Sequence, residues 1–207
     1  MACGSPTATC WSCEPAVPTP ELNRNDLLDA LGEVAAIMHS RGQRGRVYVV
    51  GGAAMMLAYS ADRATQDIDA AIEEGYSAVT DAARIVAEQR GWPRSWLNEG
   101  ATVYMPRPDQ RHGTTIFGHP ALTVVAATAE HMLAMKAKAA RPTDRQDVEA
   151  LMRQHSYTHL AQVEAVVQAT FPDEPLGPRQ QQWIAAIIDD LYPTRQSSGD
   201  DTGLSIV

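Results

Sequence analysis

The chain has 207 residues, 44% hydrophobic and 20% charged, with a formal charge of -8, enough for one compact domain or one domain with a small appendage. No apolar run approaches the roughly 20 residues of a membrane-spanning helix. The opening "MACGSPTATCWSCEPAVPTP" lacks the basic-then-apolar order of a secretory signal, so the sequence reads as cytoplasmic, without a membrane partner. A pI near 5.2 argues at face value against nucleic acid, but the span from Arg44 to Arg145 holds 12 Lys and Arg against 11 acids and is about neutral.

All three cysteines, Cys3, Cys10 and Cys13, fall in the Pro-, Ser- and Thr-rich start, and the Cys10-Cys13 pair has no histidine near it to complete a zinc site. Residues 1–21 are therefore expected to form a disordered leader. Asn25 precedes "DLLDALGEVAAIMHSRG", whose Leu27, Leu28, Leu31, Val34, Ile37 and Met38 recur at helical spacing up to Gly42. "RVYVV" reads as a strand, Gly51-Gly52 as a tight turn and "AAMMLAY" as a short helix. "QDIDAAI" is strand-like by position, "SAVTDAARIVAEQRG" is a helix ending at Gly91, and Pro93 suits a first helical turn into "RSWLN".

"ATVYM", "TTIFG" and "ALTVVAA" are strand candidates around a polar loop at 106–113. From Thr128 the pattern is helical to Leu191, with Thr128, Thr143 and Thr158 as expected N-caps. Strands interleaved with helices, then helices alone, give an α+β fold. The expected division is a sheet domain over 22–127, a helical C-terminal lobe over 128–192 and a disordered tail over 193–207. The six histidines show no metal-ligand spacing, the methionines read as core, and Trp92 and Trp96 as packing between helix and sheet.

Residues two apart on a strand share a face, so Asp67 and Asp69 of "ATQDIDAAIE" stand side by side while Ile68 and Ala70 turn to the core. Adjacent carboxylates repel unless a cation bridges them. Mg²⁺ suits the pair, because it takes one or two carboxylates together with the oxygens of a bound phosphate. Gly51 and Gly52 allow close approach of backbone amides, and the helix they open carries partial positive charge suited to a triphosphate. The implied chemistry is metal-assisted phosphoryl or nucleotidyl transfer.

A hydrophobic strand, Gly-Gly, a short helix and then Asp-hydrophobic-Asp resembles the polymerase-β-like nucleotidyltransferase fold, a mixed sheet with flanking helices. With "RATQDID", "SWLN" and "LTVVAATAEHMLAMK", and with Lys136, Arg141, Asp144, Arg145 and Asp147 gathered between two helices, the stretch Val47 to Leu151 resembles the AbiEii and MenT nucleotidyltransferase toxins of toxin-antitoxin systems. The resemblance implies that Asp67 and Asp69 bind Mg²⁺, that Lys136 contacts the nucleotide phosphates with Arg141 nearby, and that Asp147 supports the site. It implies that Thr65 matches a Ser or Thr silenced by phosphorylation. Many relatives carry a third acid on a later strand; "ATVYMP" has none, leaving Asp144 or Asp147 to substitute.

The transfer class follows from the residues. The acceptor, the 3′ end of tRNA, follows from the resemblance alone, as do an NTP substrate of pyrimidine type and a cognate antitoxin partner. A small-molecule nucleotidyltransferase of the aminoglycoside-modifying kind, or a non-catalytic antitoxin or binding module of the same fold, are the alternatives.

Overall fold

The computed structural model describes residues 21–59 and 64–193. The cysteine-bearing start, Arg63 and the tail from 194 lie outside the described residues. Asn23 opens the first helix, α1 (Arg24–Ser40): its side chain accepts from the Asn25 and Asp26 amides while Asp26 returns a bond to the Asn23 amide. This capping box sets the start two residues earlier than Asn25 suggested. Leu27, Leu31, Val34 and Met38 form the buried stripe.

Next come β1 (Gly45–Val50), α2 (Gly51–Ala58), β2 (Ile68–Glu74) and α3 (Tyr76–Arg90). Three strands follow, β3 (Leu97–Asn98), β4 (Gly113–His119) and β5 (Leu122–Ala127), and four further helices close the described chain, α4 (Ala129–Ala139), α5 (Arg145–His155), α6 (Leu160–Thr170) and α7 (Pro178–Leu191). The sheet runs β3-β2-β1-β5-β4. β1 is antiparallel to β2 and parallel to β5, β2 is parallel to β3, and β4 is antiparallel to β5. This is a mixed α+β architecture of the nucleotidyltransferase-like kind.

The mixed sheet has a direct cause in the connections. A glycine turn from β1 into α2 and a long return bring β2 back antiparallel, whereas α3 carries the chain over so that β3 runs parallel. Val47, Tyr48, Val49 and Val50 are all buried, as expected of a central strand covered on both faces. Gly45 is where helix and strand approach most closely: a Cβ there would meet Val79 and Met38 at 2.6 and 2.9 Å. One cluster of buried side chains continues from the sheet through Met132, Leu133 and Val148 to Val163, Ile184 and Ile187. Among the described residues no helix is long and apolar enough to cross a membrane.

Two expectations need correction. "ATVYM" is a 3-10 turn over Thr102–Tyr104, not a strand. The Asn98 side chain takes the Gly100 amide and the Thr102 hydroxyl donates to the Glu99 carbonyl, so the backbone turns despite its β-branched composition. The sheet neighbour of β2 is instead "LN", after a 3-10 turn at Arg94–Trp96 that the Trp96 indole anchors to the Ala83 carbonyl at 2.9 Å. Thr128 caps α4 as expected, but Asp144 and His159 stand at the N-caps of α5 and α6, in place of Thr143 and Thr158.

Candidate active site

The site lies where β1 ends and α2 begins. Gly51 has φ of +69°, a left-handed conformation open mainly to glycine. A Cβ there would sit 2.9 Å from the Asp69 carboxylate, so the glycine is needed for space as well as for the turn. At the far end of α2, the Arg24 guanidinium donates to the carbonyls of Met56 and Leu57 at 2.8 Å, satisfying groups the helix leaves open.

Asp69 is the second residue of β2 and pairs with Val50; Asp67 lies just before the strand. The strand therefore begins one residue later than the side-by-side reading assumed, yet both carboxylates face one chamber of about 420 Å³. Gly51, Gly52, Thr65, Asp67, Asp69, Lys136 and Arg141 all line that chamber. Asp147 does not line it, but stands behind Lys136.

Burial raises the pKa of Asp67, opposed by a hydrogen bond from Asn98. Burial also raises Asp69, the charge of Asp67 adds to the rise, and Arg141 and Lys136 oppose it. The fold thus holds two carboxylates together with their ionised forms disfavoured, the condition a bound cation relieves.

Sequence reasoning missed Asn98, although "SWLN" was within view. Its Nδ2 donates to Asp67 Oδ2 at 3.0 Å and to the Ser95 carbonyl, and its Oδ1 accepts from the Gly100 amide at 2.8 Å. The Gly100 bond fixes which way the amide points and turns its N–H groups toward the acids. The third acid was sought in "ATVYMP", but the strand that lies beside Asp69 is β3, and there the chain has a carboxamide.

Lys136, only 7% exposed, sits between Asp144 Oδ1 at 2.5 Å and Asp147 Oδ2 at 2.8 Å. Asp144 and Asp147 are thereby engaged with the lysine. Lys138 turns away, pairing with Glu174 and lying over the Phe171 ring at 4.3 Å. Thr65 lines the chamber, but its hydroxyl donates to the Asp67 carbonyl at 3.1 Å and its backbone bridges to Leu22. Arg107 and Arg111 line neither this chamber nor the smaller one beside it; Arg111 donates to the Pro106 carbonyl and faces Glu73.

Could this set hold Mg²⁺? Among the described residues, the charged side chains lining the chamber are Glu21, Asp67, Asp69 and Asp144 against Lys136 and Arg141, a formal balance of -2 that one divalent ion cancels. Two neighbouring carboxylates lining one chamber are a donor set Mg²⁺ accepts when substrate oxygens complete its shell. Among the described residues no group of three or more His, Cys, Asp or Glu is placed to hold a metal by itself. The residues therefore fit a metal that arrives with its substrate.

A mixed sheet with a glycine turn at the end of its central strand, and two carboxylates beside that turn, is the arrangement expected of a nucleotidyltransferase. Residues 25–170 match the family described as nucleotidyltransferase of unknown function (DUF6036), and the chain belongs to that family. No curated protein and no solved structure matches it.

Proposed function

We propose that the protein transfers a nucleoside monophosphate from an NTP to an acceptor hydroxyl, with Mg²⁺ held by Asp67 and Asp69. The observation that carries this reading is the carboxylate pair, destabilised in its charged form and placed against Gly51 at the start of α2. When bound, the metal would supply charge stabilisation to the phosphates.

The chain's own residues do the rest. The first turn of α2 presents backbone N–H groups that no helix partner uses, suited to the β- and γ-phosphates. Arg141 and Lys136 face Asp69 and would offset phosphate charge. Asp144 and Asp147 hold the lysine in place and compete with phosphate for it. Asn98 orients the carboxylates through its N–H groups.

The resemblance to AbiEii and MenT toxins supports the 3′ end of tRNA as acceptor, a toxic role and restraint by an antitoxin. A phosphoryl group on Thr65 would add about -1.5 to -2 charge to a chamber already at -2 and would close it to NTP. A small cationic acceptor of the aminoglycoside kind is favoured by one observation: the chamber lining has four acids against two bases, and the arginines of the 106–113 loop lie elsewhere.

Incubation of the protein with Mg²⁺ and each α-labelled NTP, in one reaction with total RNA and in a parallel one with an aminoglycoside, tests the proposal. Labelled RNA from wild type, and none from Asp69→Asn, is expected. Label on an aminoglycoside alone would replace the acceptor, and no transfer from any NTP would overturn the reading.

A further inference from the structure

Beside the polar chamber lies a second one, of about 150 Å³, whose lining is of another kind. The two share a wall made by Gly51, Asp69, Lys136, Arg141 and Asp144. Beyond that wall the smaller chamber is bounded by Ala101 and Tyr104 from the 3-10 turn and by Met132, Met135 and Ala139 from α4. Tyr104 is 48% exposed, so an aromatic ring that lines the smaller chamber also stands in water.

We propose that this small chamber takes the base of the NTP, stacked on Tyr104 and packed against Met132 and Met135. This rests on the nucleotidyl-transfer reading and adds to it where the nucleoside goes and how it is recognised. The reacting α-phosphate must lie at the carboxylate pair, and Asp69 belongs to both chambers. The β- and γ-phosphates need N–H groups and cations, which the polar chamber supplies at Gly51, Gly52 and Arg141. The other end of the same molecule is a planar, largely apolar ring, and the remaining space next to Asp69 is small and apolar. Thioether sulfurs and an aromatic face suit such a ring.

Recognition would rest on shape more than on a hydrogen-bond pattern. Beyond the shared wall, Tyr104 is the only side chain of the lining with a hydrogen-bonding group among the described residues. The chamber thus selects for a flat ring of limited size, with the backbone of Gly100 and Ala101 in the lining to meet its edge.

Equilibrium binding with Mg²⁺ tests the assignment, using a non-hydrolysable NTP analogue and inorganic tripolyphosphate against wild type, Tyr104→Ala and Tyr104→Phe. Stacking on an aromatic side chain predicts about a fivefold to 150-fold loss of the analogue in Tyr104→Ala. Tripolyphosphate binding should be unchanged there, and the analogue should bind Tyr104→Phe nearly as wild type does. Equal loss of both ligands, no loss of either, or an analogue that binds wild type no better than tripolyphosphate would overturn the base site while leaving the phosphate reading intact. Failure of wild type to bind either ligand would overturn both.

Discussion

One face of the sheet holds two polar clusters beneath α4, and they are built on opposite terms. At one end Tyr48 meets His131 Nδ1 at 2.5 Å, the rings stack at 5.6 Å, and both groups are held neutral. Burial raises Tyr48 beyond its ordinary range, while burial and the charge of Arg111 push His131 down to about 4. At the other end, among the described residues, Asp67 takes a hydrogen bond from the Asn98 amide, and Arg141 and Lys136 act on Asp69 through their charge. A buried polar pair that remains neutral is a structural device, whereas two neighbouring carboxylates whose ionised forms burial disfavours suit something that brings positive charge.

That contrast is open to attack by mutation. His131→Ala removes a ring that packs against Tyr48 and Phe171; it should cost about 3 kcal/mol of stability in denaturant titration. The active-site residues themselves stay in place. Asp69→Asn should do the reverse, lowering transfer by at least about 100-fold, more than loss of a residue that merely supports a metal ligand. Its metal-free melting temperature should stay level or rise, because a like-charge repulsion is removed. A large stability loss in Asp69→Asn would mean that the carboxylate pair is structural after all.

Gly51→Ala comes next in size. It should cost about 1–2 kcal/mol for the left-handed backbone and displace the Asp69 carboxylate, weakening divalent-metal binding as well. Equal metal binding in wild type and Gly51→Ala would remove the close approach from the account.

pH separates the clusters with a smaller effect of opposite sign. His131 has a lowered pKa, so its contribution is fully present above the unfolded value near 6.5 and is lost as pH falls toward about 4. Asp67 and Asp69 are raised, so their neutral forms favour the fold. Their contribution is present below the unfolded value near 3.8 and is lost as pH rises through the raised values. Metal-free Asp67→Asn/Asp69→Asn protein should therefore lose less stability than wild type on going from acid to neutral pH, in melting curves across that range. His131→Leu should remove the sensitivity below about 6.5.

Much of this was legible in the residues. The sheet strands "RVYVV", "TTIFG" and "ALTVVAA" announce themselves by β-branched runs, and the Gly-Gly turn and Asp pair by their spacing. Asn98 and Tyr104 were not legible in their roles, for one shared reason. Their placement depends on the Trp96 indole reaching the Ala83 carbonyl and on turns made by Asn98 and Thr102 side chains, which override the apolar pattern of "ATVYM". Lys136 could be found from its neighbours in sequence, but not that Asp144 and Asp147 enclose it, because that depends on the chain reversing at Ala140, where φ is +45°.

Titration of Mn²⁺ into the protein saturated with a non-hydrolysable NTP analogue, followed by electron paramagnetic resonance, tests the central claim most directly. The account predicts a tight Mn²⁺ site in wild type that is lost in both Asp67→Asn and Asp69→Asn, while His131→Ala keeps it. Equal Mn²⁺ binding in wild type and the two aspartate variants would contradict it.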